Sequence, residues 1–295
     1  MIRFASVLLL FFCITSTAHA LTAELLFTIK ELQAPESVVY DPQLDLYFIS
    51  NINGEGTAKD NNGFISRVHP DGKVESLKFI AGGVNGVTLN GPKGLEIDGN
   101  TLWVTDIDAV RAFDKRTGKL EQSADFAPLG AIFLNDIAVA PGAVYASDTG
   151  LRFDEHGNFT GRGPSRIFCF CSGKPTLTLE DPALAGPNGL WWLPAERKLL
   201  IVQLQGKKIL TLSPAEKKLQ EFAEGPGGFD GIVAYKNGYL VSSLDTSSVY
   251  FLQNKQFIEI TKGIENPADI GLDSKRNRLL IPSFSLNQVQ VWQLR

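Results

Sequence analysis

The sequence predicts an all-β fold, a six-bladed β-propeller with four-stranded blades, and three observations carry that prediction. One phrase recurs six times: a short lead, an apolar run, a turn, and a second apolar run that ends on a polar residue. The copies are spaced near the period of a propeller blade. β-Branched and aromatic runs alternate with Gly, Asp and Asn turns from end to end, and helical periodicity is almost absent.

Residues 1–20 come first and stand apart. Arg3 precedes the apolar run Val7 to Ile14, and Ala18-His19-Ala20 is a small-x-small cleavage site, so the expectation is a secretory signal peptide. The run is too short to span a bilayer as a helix. The remainder, residues 21–295, shows no linker, low-complexity stretch or charge block, and a single domain is expected. The expected location is secreted or periplasmic.

The six copies begin at Pro35-Glu36-Ser37-Val38, Pro92-Lys93-Gly94-Leu95, Leu134-Asn135-Asp136-Ile137, Pro187-Asn188-Gly189-Leu190, Phe229-Asp230-Gly231-Ile232 and Pro267-Ala268-Asp269-Ile270. Their second strands end on Asn51, Asp106, Asp148, Gln203, Ser243 and Ser283. The third copy shows the unit best. Two strands joined at Pro141-Gly142 start and finish at one edge, so Asn135 and Asp148 belong on the same face. The turns Asp71-Gly72, Thr117-Gly118 and Asn237-Gly238 belong on the opposite one. The one segment of helical composition, 214–224, falls where a turn and an outer strand are expected. After Ala268 only three strand-like runs remain, and Leu25 to Lys30 is expected to supply the fourth. That pairing closes the ring and removes exposed edges.

Innermost propeller strands begin at the rim of the central channel. Glu36, Lys93, Asn135, Asn188, Asp230 and Ala268 should therefore ring one mouth. Asn51, Asp106, Asp148 and Gln203 are expected on a wider ring as substrate-binding groups. Loops 52–63 and 149–165 should overhang the same face, where polar loops of that length are commonly functional. Two carboxylates and two amide oxygens aimed at one spot suit a hard cation, and calcium accepts such a mixed oxygen set. No His or Cys is placed for zinc.

The leads at Glu36, Asn135, Asn188 and Asp230, taken together in this order, resemble the senescence-marker-protein/gluconolactonase family, which includes regucalcin. More distantly they resemble the paraoxonases, which carry a similar Leu-Asn-Asp-Ile stretch in the third blade. The resemblance spans nearly all of residues 21–295. It implies a six-bladed propeller with a divalent cation, usually calcium, held by Glu36, Asn135, Asn188 and Asp230. It also implies hydrolysis of a lactone or related ester, with Asp230 as general base. Lys93 departs from the pattern, because paraoxonases carry a histidine base there, and neither His69 nor His156 is placed to replace it. A partly neutral Lys93 could move a proton; a charged one could compete with the cation or lead its ammonium out to solvent.

Other chemistry finds no support. The chain has no G-x-S-x-G, H-E-x-x-H, phosphate loop or dinucleotide fingerprint. A net charge of −4 without a Lys/Arg cluster argues against nucleic acid and anionic membrane as partners. A monomer acting on a small molecule is expected. The alternative is a non-catalytic propeller that binds a small ligand or a protein on the same face. Cys169 and Cys171 lie at i and i+2 on one strand, and that spacing favours two thiols over a strained local bridge.

Overall fold

Runs rich in Val, Ile, Leu and Phe satisfy their backbone groups by pairing with the next run along the chain. The result is six four-stranded antiparallel sheets, arranged as blades in a ring. The computed structural model describes residues 21–154 and 156–295, and the expected signal peptide lies outside the described residues. Blade three is representative, with strands Leu134–Ala140, Ala143–Asp148, Arg166–Cys171 and Lys174–Glu180 in chain order. In blade four the segment of helical composition ends in the outer strand Lys218–Glu224. Among the described residues no helix is long and apolar enough to cross a membrane.

Blade six takes Gly271–Asp273, Arg278–Ser283 and Gln288–Leu294 from the end of the chain. Its outer strand is Ala23–Ile29, paired antiparallel with the last strand from Ala23 opposite Leu294 to Ile29 opposite Val289. The seam with blade one is apolar: Val38, Tyr47, Ile49 and Val68 pack with Leu280, Val289, Val291 and Ile29. Burying each such side chain contributes roughly 1.5–3 kcal/mol. Tyr47 donates to Asp273 across the seam at 2.8 Å, and Arg276 grips both oxygens of Asp45 at 2.8 and 2.7 Å. The ring is thus closed as expected.

A local irregularity sets the direction of the functional side chains. In blades one to five the register of the first two strands slips at the entering residue, between Pro35 and Val38, Pro92 and Leu95, Leu134 and Ile137, Pro187 and Leu190, and Phe229 and Ile232. A bulge of this kind re-aims the residues inside it. The second bulge residue reaches the neighbouring blade. Asp136 accepts from the Leu190 amide at 2.6 Å, and Ser37 accepts from the Leu95 amide at 3.3 Å. Gly94 is required by this close approach, since a Cβ there would lie 2.5 Å from the Asp136 carboxylate.

Cys169 and Cys171 form a disulfide, which corrects the expectation of two thiols. Both side chains leave the same face of strand Arg166–Cys171, and their Cα atoms are 5.5 Å apart, within the ordinary range for a bridge.

Candidate functional site

At one mouth of the channel lies a cavity of about 350 Å³, and all six entering residues line it: Glu36, Lys93, Asn135, Asn188, Asp230 and Ala268. Loop 52–63 contributes Ile52, Glu55 and Gly56, and loop 149–165 contributes Leu151 and Phe153. The second loop is held by a small hairpin, Leu151–Phe153 with Phe159–Arg162. Both overhanging loops therefore reach the site.

Four oxygens on the floor of this cavity are buried and have no hydrogen-bond partner: one each from Glu36, Asn135, Asn188 and Asp230. The amides are oriented by their neighbours. Thr149 spends its hydroxyl proton on the Pro187 carbonyl at 2.8 Å, so it can only accept from Asn135, whose amide nitrogen lies 3.2 Å away. Asn188 turns its amide nitrogen to the Asp230 carboxylate at 3.1 Å. In both cases the amide oxygen is left facing the cavity. An unpaired buried acceptor is costly, and four in one place form a donor set for a hard cation. The residues present therefore fit calcium. Among the described residues no group of three or more His, Cys, Asp and Glu is placed to hold a metal, consistent with a set in which half the donors are amides.

Charge sharpens the point. Burial pushes Asp230 up to about 8, with the neighbouring Asp269 adding to the shift and the Asn188 amide opposing it. Glu36 is raised well above its usual range by burial, then by Asp230 and Asp269. Two carboxyl groups held this way resist ionising together unless a cation joins them.

Lys93 does not lead its charge into solvent; it is 1% exposed. Its amine donates to the carbonyls of Gly56 at 2.9 Å and Gly91 at 3.1 Å, and sits 4.2 Å from the centre of the Phe133 ring. Burial pulls it down to about 8, against the charges of Glu36, Asp106 and Asp148. The lysine thus ties loop 52–63 to the floor of the site.

Asn51, Asp106, Asp148 and Gln203 lie elsewhere than expected. All four are buried, and none lines the cavity. Asp106 accepts from the amides of Asn90 and Gly91 at 2.9 and 2.8 Å, and Asp148 from that of Phe133 at 2.8 Å. Asn51 accepts from Gln33 at 2.9 Å, while Gln203 donates to the Ala183 carbonyl at 2.7 Å. They pin the chain that leads into each blade. The cause is the alternation of a strand, which sends successive side chains to opposite sides. The residues one step later do line the cavity in four blades: Ile52, Leu204, Leu244 and Phe284. Their shared repeat position was a signal available in the sequence, and so was Thr149, which occupies it in blade three.

A chain solved as a putative gluconolactonase superimposes with a TM-score of 0.66 at 16% identity, covering 93% of this chain and 92% of its own. A gluconolactonase from Xanthomonas campestris, described as important in glucose secondary metabolic pathways, gives 0.65 at 16% identity over 91% and 88%. The chain shares the six-bladed propeller fold with them. A chain of the nidogen/laminin complex also superimposes, at 0.59 and 18% identity over 77% and 79%. No family model matches the sequence, and no curated protein matches it.

Proposed function

We propose that this propeller is a calcium-dependent hydrolase of a lactone or related ester, acting on a small molecule outside the cytoplasm as a secreted or periplasmic monomer. The observation that carries the reading is the set of four unpartnered oxygens on the cavity floor. Glu36, Asn135, Asn188 and Asp230 would hold the cation, which when bound polarises a carbonyl as a Lewis acid. Asp230, ionised beside the cation, accepts a proton from the attacking water. Lys93, held on the floor by the Gly56 and Gly91 carbonyls, stabilises in its protonated form charge developing on oxygen. The apolar walls exclude bulk water and orient the ester group toward the floor.

A second reading, a non-catalytic propeller with a ligand or protein on this face, is favoured by the absence of a histidine at position 93 and by the likeness to a chain of the nidogen/laminin complex. Turnover separates the two. The purified protein, incubated with calcium and a panel of five- and six-membered lactones, is expected to hydrolyse at least one, and chelator or Asp230→Asn to remove that activity. Full activity in chelator contradicts the metal-dependent reading, and no hydrolysis of any lactone favours the binder.

A further inference from the structure

The cavity has two chemically distinct levels. Its floor carries Glu36, Asn135, Asn188, Asp230 and Lys93, whereas Leu151, Phe153, Leu204, Leu244 and Phe284 form a collar above. The apolar surface continues outward. Phe284 is 39% exposed, and Leu286 of the same short turn is 45% exposed. Phe159, also exposed, packs edge-on against Phe153 with ring centres 6.0 Å apart. The collar comes from separate blades and from an overhanging loop, so it is a feature of the assembled mouth.

We infer that the site takes a neutral lactone or ester bearing an apolar alkyl or aryl substituent, not a polyhydroxylated sugar lactone; this rests on the hydrolase reading above and narrows it. The hydroxyl groups of a sugar lactone need partners once buried, and leucine and phenylalanine side chains offer none. An alkyl or aryl group gains by leaving water against the same walls. An anionic substituent finds no cation to pair with in the collar, where the charged neighbour is Glu55. Ligand pockets of this size are usually mostly apolar with a few convergent polar groups, and the polar groups here converge on one end.

The test uses stable lactams, so that binding is read apart from turnover. Calorimetric titration of the purified protein in calcium is made with six-membered lactams carrying methyl, propyl and hexyl substituents, and with gluconolactam. Affinity is expected to rise by about fourfold per added methylene until the collar is filled. The sugar lactam is expected to bind at least about a hundredfold more weakly than the hexyl compound. Phe284→Gln, a change at a partly exposed position, is expected to flatten the dependence on chain length. Absent binding, affinity independent of chain length, or a sugar lactam as tight as the hexyl compound overturns the inference. Chain-dependent binding of lactams without hydrolysis of the matching lactones upholds the collar and overturns the hydrolase. Hydrolysis that prefers gluconolactone upholds the hydrolase and overturns the collar.

Discussion

At the scale of single residues, the channel concentrates acid groups away from water. Asp230 and Glu96 are each pushed to about 8 and Asp269 to about 7, in every case by burial first, and Glu36 and Asp136 are raised for the same reason. A second cavity, on the channel below the first, is lined by Glu96, Asp136 and Asp269. A carboxyl whose pKa is higher folded than unfolded holds its proton longer in the folded state. Stability of the cation-free protein should therefore fall as pH rises from about 4, the unfolded value, toward 8. Lys93 has the opposite shift, but its window opens only above about 8, where the folded state loses its proton first. In chelator, the melting temperature is expected to be lower at pH 7.5 than at pH 5, and calcium at pH 7.5 should recover part of the loss. A melting temperature that is flat or rising across that interval contradicts the assignment of these groups as buried and raised.

At the scale of elements, the bulge at the start of each inner strand converts a repeat into a site. Without the slip in register, Glu36, Asn135, Asn188 and Asp230 would not all turn toward the mouth. The repeat positions made this ring legible in the sequence, because equivalent positions in a cyclic repeat meet at the axis. The residues that end the second strands face away from the cavity and in four blades those one step later face it, which spacing alone does not reveal. The burial of Lys93 was not legible either: it depends on the carbonyl of Gly56, in a loop 37 residues away. That contact makes loop 52–63 depend on the lysine. Lys93→Met keeps the stem and removes the donor, leaving the Gly56 and Gly91 carbonyls without that bond. Tryptic cleavage after Lys59, a side chain 58% exposed, is expected to speed up by roughly tenfold while the blades stay folded. Cleavage at the wild-type rate would mean that the loop is held by its other contacts.

At the scale of the whole molecule, function depends on closure, because the site exists only where all six blades meet. Count and spacing revealed the closure in the sequence: three strands after Ala268 and an unassigned strand before Glu36. Deleting residues 21–30 removes the Ala23–Ile29 strand and the buried Ile29, and it bares the edge at Gln288–Leu294. A loss of roughly 10 °C in melting temperature and a tendency to associate are expected. An unchanged, monodisperse protein would show that the ring is stable when open. The central claim is the cation site on the channel floor, and calcium titration into the chelator-stripped protein tests it most directly. One calcium per chain is expected for the wild type, with binding lost in Asp230→Asn and in Glu36→Gln. Absence of calcium binding to the folded wild type, or full binding by Asp230→Asn, would contradict it.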